Sequence, residues 1–394
     1  MHRVMLLPGK DKLPRNRHPW VFSGAIESVE GSPRSGEVVA VHGADGSFIA
    51  YGHFNEHSKI KVRLLEWDEK EVVNETWLRD KIRRALALRA PILTSGVTDA
   101  CRLIYSEADF LPGLIVDRFG EFAVLQSLSA GFDRVKNVVA QMLMEETGVR
   151  GLYEKSDGDG RRMEGLPIRY GLLAGKEPPD RVLIHEHEHL FHVSLAGQKT
   201  GFYTDQRVNR RIAAVYAAGR RMLDLCCYTG AFSVYALAAG AAEVMLCDIS
   251  DDALEGARRH LRLNNIAADR ASFVKEDVFV LLRRLHKEGR RFDMIVLDPP
   301  KFVANSDDLE KGLRGYKDIN LNAMRLLESG GILVTFSCSG AVTMEHFHKV
   351  IAFAAKDAKR EVRILHHLHQ SEDHPIRVSV PETEYLKGFV CIVE

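Results

Sequence analysis

Five short segments carry the residues that could do chemistry, and each ends an apolar stretch. The first is Asp224-Leu-Cys-Cys-Tyr-Thr-Gly230, which runs straight into a helical pattern. A turn there lets backbone approach a ligand, with Gly230 removing a side chain where one would clash. The segment lacks G-x-G-x-x-G, which weakens the case for a dinucleotide pyrophosphate. Asp248 ends the next apolar stretch, 24 residues after Asp224. A carboxylate at that distance suits the two hydroxyls of a ribose. Asp277, in Lys275-Glu-Asp277, ends the third stretch, where it can face an adenine edge. One such Asp would read as a helix cap. Three at successive strand ends point to an adenosine-type ligand.

The fourth segment is Asp298-Pro-Pro-Lys-Phe302. Its prolines fix the backbone and present an acid beside an aromatic, a corner suited to a planar base held on one edge and stacked on one face. The fifth is Ser337-Cys338-Ser339-Gly340. Cys338 there is either a nucleophile facing the same cleft or a small buried hydrophobe, as most free cysteines are.

These segments need a frame that gathers them. From about residue 221, strand and helix alternate strictly. Strands are expected at Met222 to Cys226, Val244 to Cys247, Phe292 to Leu297 and Ile332 to Phe336, with helices near 231–239, 251–263, 278–288, 309–328 and 343–357. This pattern predicts a doubly wound, mostly parallel sheet with its ligand at the carboxyl ends of the strands. Residues 1–72 read as short strands broken by glycine turns, a small β barrel or sandwich. Residues 73 to about 89 read as a helix capped by Asn74 and stopped by Pro91. An α+β middle region follows, with a helix near 133–146 and a linker or exposed loop from Gly171 to Asp180. The expected domains are therefore 1–72, 73–190 and 191–394.

Together the five segments resemble the S-adenosylmethionine-dependent methyltransferases. More closely, the chain resembles the large-subunit rRNA methyltransferase I family of RNA cytosine carbon-5 enzymes. The likeness extends to Arg17-His-Pro-Trp-Val-Phe-Ser-Gly24, Leu111-Pro-Gly-Leu-Ile-Val-Asp117 and Lys199-Thr-Gly-Phe-Tyr-Thr-Asp-Gln-Arg207. It implies a Rossmann-like class I methyltransferase domain, an amino-terminal PUA-like RNA-binding barrel, and S-adenosylmethionine as cofactor. Cofactor contacts would fall to Gln206, Arg207, Asp224, Tyr228, Thr229, Gly230, Asp248, Ile249, Asp277 and Asp298. Arg207 would take the methionine carboxylate. Cys338 and Asp298 would be catalytic, and Lys301, Phe302, Arg17 and Trp20 would meet the substrate. Carbon 5 of cytosine is a poor nucleophile, and a thiolate adding to carbon 6 makes it enamine-like. Many RNA cytosine enzymes place a second cysteine after the fourth-strand proline. Here Pro299-Pro300-Lys301 has none, so no residue is assigned to removing the carbon-5 proton. The implied partner is 23S rRNA or a ribosomal assembly intermediate, and the implied site cytoplasmic. A homodimer is left open. A guanine methyltransferase of rRNA and a non-catalytic assembly factor are the alternatives.

Composition narrows the frame. Over 394 residues, Lys+Arg and Asp+Glu each total 54, so RNA binding must come from local patches. One such patch is Arg3, Lys10, Lys12, Arg15 and Arg17, leading into His18-Pro19-Trp20. Arg207, Arg210, Arg211, Arg220 and Arg221 form a second, expected near the cofactor mouth. No apolar run suits a membrane span, MHRVMLLPGK does not read as a signal peptide, and the six cysteines read as reduced thiols. His185-Glu-His-Glu-His189 reads as one strand face, and no metal is expected there or at His366, His367 and His369.

Overall fold

The computed structural model describes residues 1–195, 201–303 and 306–394. The chain forms two compact units. One comprises Met1–Glu188, Val193–Thr204 and Glu372–Thr383; the other comprises His189–His192, Asp205–Ser371 and Glu384–Glu394.

The first unit opens with a six-stranded sheet in the spatial order Trp20–Phe22, Ile60–Glu66, Phe48–Phe54, Val38–His42, His2–Leu6, Ile26–Glu30. Alternate residues point to one face, so Val4 and Leu6, Val39 and Val41, and Val62 and Leu64 share a core. A five-stranded sheet follows, ordered Arg169–Gly175, Gly151–Ser156, Phe122–Ser127, Leu114–Phe119, Ala100–Tyr105, with helices Glu75–Thr94 and Ala130–Thr147. Asn74 caps the first helix, accepting from Trp77 N at 3.0 Å.

Three expectations are corrected here. Pro91 lies inside its helix rather than stopping it. Pro91 falls in the last turn of Glu75–Thr94, so it removes one backbone donor near the helix end, and its own carbonyl still accepts from Ser95 N at 3.2 Å. Of the loop expected from Gly171 to Asp180, residues 171–175 are strand instead, because Arg169–Gly175 pairs antiparallel with Gly151–Ser156, while residues 176–180 lie outside helix and strand as expected. His185 to His189 is not one strand: Val182–Glu186 ends before His187, which turns at φ 51°, and His189–Val193 begins after it.

The second unit contains, among the described residues, a seven-stranded sheet. Its strands are β1 (Arg221–Leu225), β2 (Glu243–Asp248), β3 (Ala271–Lys275), β4 (Phe292–Leu297), β5 (Leu327–Ser337), β6 (Val362–His369) and β7 (Lys387–Val393). The order is 3-2-1-4-5-7-6, and β7 alone runs opposite to the other six. Its helices are α1 (Arg207–Ala214), α2 (Ala231–Ala238), α3 (Asp251–Leu263), α4 (Val278–Lys287), α5 (Leu309–Leu326) and α6 (Met344–Ala358). Helices cover both faces, so the central strands are apolar without alternation: Met294, Ile295, Val296 and Leu297 are all buried. The order reverses between β1 and β4, and a ligand crevice belongs outside the carboxyl ends of those two strands. No helix of the described residues is long and apolar enough to cross a membrane.

Candidate active site

The turn after β1 is built from three left-handed residues, Cys226 at φ 58°, Tyr228 at φ 49° and Gly230 at φ 73°. Such a run folds the backbone tightly before α2. Gly230 is required by the fold itself. A Cβ there would stand 2.9 Å from both Ala257 Cβ and Leu246 Cδ2, so the close approach is to protein rather than to a ligand. Asp224 lies beneath the turn, 1% exposed, and accepts from Ser233 Oγ at 2.6 Å. Burial pushes its carboxyl up to about 7, with Asp298 and Asp248 adding to the rise. It braces the turn from below.

Asp248 ends β2 half-buried, with Oδ2 accepting from Tyr228 N at 2.9 Å and Oδ1 from Ser250 N at 3.0 Å. Each oxygen keeps further acceptor capacity. Ile249 beside it is 69% exposed, an apolar surface of the kind a flat base covers. Asp277 caps α4, its Oδ1 accepting from Phe279 N at 2.9 Å and Val280 N at 3.3 Å. A two-oxygen acceptor, an exposed aliphatic and an acid at a helix start fit the ribose and base of an adenosine-type ligand. Capping accounts fully for Asp277 alone of the three strand-end acids. Thr229 is half-buried, its carbonyl 2.9 Å from His260 Nδ1.

The β4 and β5 ends meet across the switch point. Gln206 Nε2 donates to Asp298 Oδ2 at 3.0 Å, while Gln206 Oε1 accepts from Asn209 Nδ2 at 2.6 Å. Both ends of that amide have partners within the protein, one of them Asp298. Arg207, starting α1, is buried. Cys338 is half-buried, with its sulfur 3.8 Å from the Pro299 carbonyl. Desolvation pushes its thiol up to about 12, reinforced by the charges of Asp298 and then Asp205. Lys301 is exposed. Phe302 packs between Phe279, at 5.8 Å between ring centroids, and Tyr316, at 4.7 Å. Its ring therefore joins an aromatic cluster rather than standing bare for a base.

Arg220 and Arg221 are not at the cofactor mouth. They sit at the amino end of β1, where Arg221 chelates Asp293 at 3.0 and 3.1 Å and Arg220 donates to the Asp293 carbonyl at 3.2 Å. A parallel strand carries its two ends to opposite edges of the sheet, which separates them from Asp224. In the first unit, Arg17 is exposed, with its guanidinium 5.4 Å from the Trp67 ring centroid. Trp20 is half-buried and donates its indole N–H to Glu107 at 2.9 Å, so its polar edge is taken within the protein. Lys199 and Thr200, which open the motif ending at Arg207, lie outside the described residues.

Several neighbours of Cys338 carry no strand-end signal. Lys387, at the start of β7, is buried and donates to the Ser339 carbonyl at 2.9 Å; burial pushes its ammonium down to about 8. Asp205 is buried next to Gln206 and accepts a hydrogen bond from the Tyr385 hydroxyl. Asp205 stood within the quoted motif and was available to sequence reading. Tyr385 and Lys387 are brought in only by β7 pairing.

A model of S-adenosylmethionine-dependent methyltransferases matches residues 172–391, and a model of PUA-like domains matches residues 4–67. Ribosomal RNA large subunit methyltransferase I of Pseudoalteromonas translucida (strain TAC 125) is 43% identical over 391 residues, covering 99% of either chain. The protein of the same name from Shewanella frigidimarina (strain NCIMB 400) is 42% identical over 393 residues, again 99% of each. Among solved structures, a candidate S-adenosylmethionine-dependent methyltransferase from Streptococcus mutans covers all of both chains with a TM-score of 0.85 at 22% identity. A candidate methyltransferase solved in complex with SAH does so with a TM-score of 0.86, also at 22%. Likeness at that identity speaks for the fold, while the curated relatives speak for descent. The chain belongs to the S-adenosylmethionine-dependent methyltransferases and, within them, to the ribosomal RNA large subunit methyltransferase I family.

Proposed function

We propose that the protein methylates carbon 5 of a cytosine in 23S rRNA through a transient bond from Cys338 to carbon 6. The observation that carries this reading is a thiol and a carboxylate at the carboxyl ends of adjacent parallel strands, with Cys338 sulfur 3.8 Å from the Pro299 carbonyl and Asp298 one residue before that proline. The relatives' name supplies ribosomal RNA as the substrate class. Residues 1–72 would bind RNA, with Lys10, Lys12 and Arg17 exposed for phosphate contacts, residues 73–190 would form a middle domain, and residues 191–394 would hold the chemistry.

On this reading Asp248 holds the ribose of S-adenosylmethionine, with Ile249 and Asp277 beside its base. The Tyr228 backbone keeps Asp248 oriented, and Asp224 keeps the turn in shape. The cofactor supplies an electrophilic methyl group. Asp298 carries the proton released by the Cys338 thiol to ring nitrogen 3 of cytosine, which draws electron density from carbon 6, and takes it back when the sulfur leaves. Cys338 adds its sulfur there as the thiolate. The thiol rests protonated, so its proton passes to the Asp298 carboxylate as the base arrives and the sulfur bonds carbon 6.

Trapping tests the reading. With rRNA containing 5-fluorocytidine, the protein should be caught as a crosslink through residue 338, since fluorine cannot leave carbon 5 as a proton does. Cys338→Ala should bind S-adenosylmethionine normally and transfer no methyl group. Turnover by that variant, or fluorinated RNA released without a crosslink, refutes covalent catalysis and leaves guanine methylation as the better account.

A further inference from the structure

Resting on the covalent reading, we infer that Tyr385 and Asp205 form the proton relay that removes hydrogen from carbon 5 after the methyl group has arrived. The β5–β7 register carries the placement. Ser337 pairs with Lys387 in an antiparallel ladder, so chain beyond Ser337 runs beside chain before Lys387. Cys338 and Ser339 therefore lie opposite the stretch holding Tyr385, and the bond from Lys387 to the Ser339 carbonyl at 2.9 Å fixes that alignment.

Asp205 stands behind Tyr385. It is 9% exposed, its Oδ2 accepts from the Tyr385 hydroxyl, and its Oδ1 is buried with no hydrogen-bond partner among the described residues. A buried acceptor left unmade disfavours folding, so such an oxygen calls for a functional explanation. Its backbone is pinned, because the Asp205 carbonyl accepts from both Ser371 N and Ser371 Oγ at 2.9 Å. The next residue, Gln206, bonds Asp298 at 3.0 Å. The Asp205 charge also acts on the Cys338 thiol, consistent with one electrostatic cluster.

The missing step needs such a pair. After methyl transfer, carbon 5 carries both a methyl group and a hydrogen, and carbon 6 carries sulfur. Tyr385 is half-exposed, and its hydroxyl accepts the carbon-5 proton as its own proton passes to Asp205. The C–H electron pair becomes the C5–C6 double bond, and the C6–S pair returns to Cys338 as thiolate. Asp205 ends protonated, and its proton is lost before the next cycle. The buried carboxylate needs no direct access to RNA because the phenol stands between them.

The test uses the full-length protein with ordinary cytosine rRNA and S-adenosylmethionine. Tyr385→Phe and Asp205→Asn should each lose about 100-fold or more in turnover while accumulating a protein–RNA adduct that already carries the methyl group, with about one S-adenosylhomocysteine formed per enzyme. Calorimetric binding of S-adenosylmethionine confirms that the variants are folded. Wild-type protein run against 5-fluorocytidine RNA serves as the control: failure to crosslink there refutes the covalent reading itself. If that control crosslinks and both variants release methylated RNA at the wild-type rate, or stop without any methylated adduct, the relay is overturned and the covalent reading stands.

Discussion

Replacing Asp224 by Asn should stabilise the methyltransferase unit at alkaline pH and leave it nearly unchanged at acid pH. Asp224 is 1% exposed, and burial lifts its carboxyl from 3.8 to about 7. The folded protein therefore holds a proton that the unfolded chain releases above about pH 4. Stability from this group is fully present below 3.8 and falls as pH rises toward 7. A rise of about three pH units, at 1.36 kcal/mol each, puts the loss at about 4 kcal/mol by pH 8. Asn removes the ionisation and keeps an oxygen for Ser233 Oγ, now 2.6 Å away. Trp20, Trp67 and Trp77 all lie in the first unit, so tryptophan fluorescence reads the wrong part of the molecule. Hydrogen exchange over residues 221–238, read by mass spectrometry at pH 5 and pH 8, reads the right one. Protection should rise in Asp224→Asn at pH 8 far more than at pH 5. An Asn variant that loses protection equally at both would refute a strained, proton-holding carboxylate.

Asp248→Ala should weaken S-adenosylmethionine binding by about 1–3 kcal/mol, the cost of stranding buried hydrogen-bonding groups; calorimetry on the folded variant checks it, and unchanged affinity removes Asp248 from the ribose. Gly230→Ala should destabilise the protein by about 1–3 kcal/mol, because it adds a methyl 2.9 Å from Ala257 and Leu246 at φ 73°; a denaturation midpoint equal to wild type contradicts this. Asp298→Asn removes a charge that raises the Cys338 thiol, so the pH profile for alkylation of that cysteine should shift to lower pH, and a shift to higher pH would reverse the electrostatic argument.

The parallel half of the sheet was legible because β1, β2, β4 and β5 are buried on both faces and read as unbroken apolar runs. Four of them end in the residues that mark the site, and helices α2 to α6 fell within a few residues of expectation. β6 was not legible: it is an edge strand with His366 and His367 exposed, so nothing in its pattern demands burial. β7 returns antiparallel, outside the strand–helix alternation that revealed the rest. What the strand-end acids do was less legible than where they are. Asp224, Asp248 and Asp277 look alike in sequence, yet one is buried under a turn, one faces outward on two backbone donors, and one caps a helix. Side-chain direction at a tight turn depends on individual φ angles, and no spacing rule carries it. Arg220 and Arg221 show the converse error, since closeness in sequence to Asp224 is distance along the strand.

The charges around Cys338 explain how a reluctant thiol can serve a covalent reaction on the proposed reading. Desolvation above all, and then the charges of Asp298 and Asp205, hold the proton on sulfur, while Lys301 opposes them. The two carboxylate contributions, though not the larger one from desolvation, are conditional on those groups remaining charged. When Asp298 takes up a proton on its way to the cytosine ring, its negative charge is neutralised and its hold on the thiol weakens. Lys387, buried and pushed down to about 8 beside the same strand end, gives up or keeps its proton within a small range of pH and so leaves the local charge adjustable. On the proposed reading, a site arranged this way would form its nucleophile more readily once the substrate base is in place, which would protect the cysteine from adventitious oxidation and alkylation between turnovers. The same elements that make Cys338 inert alone, the β5–β7 ladder and the Gln206–Asp298 bond, are those that bring the acid, the thiol and the phenol within one cluster.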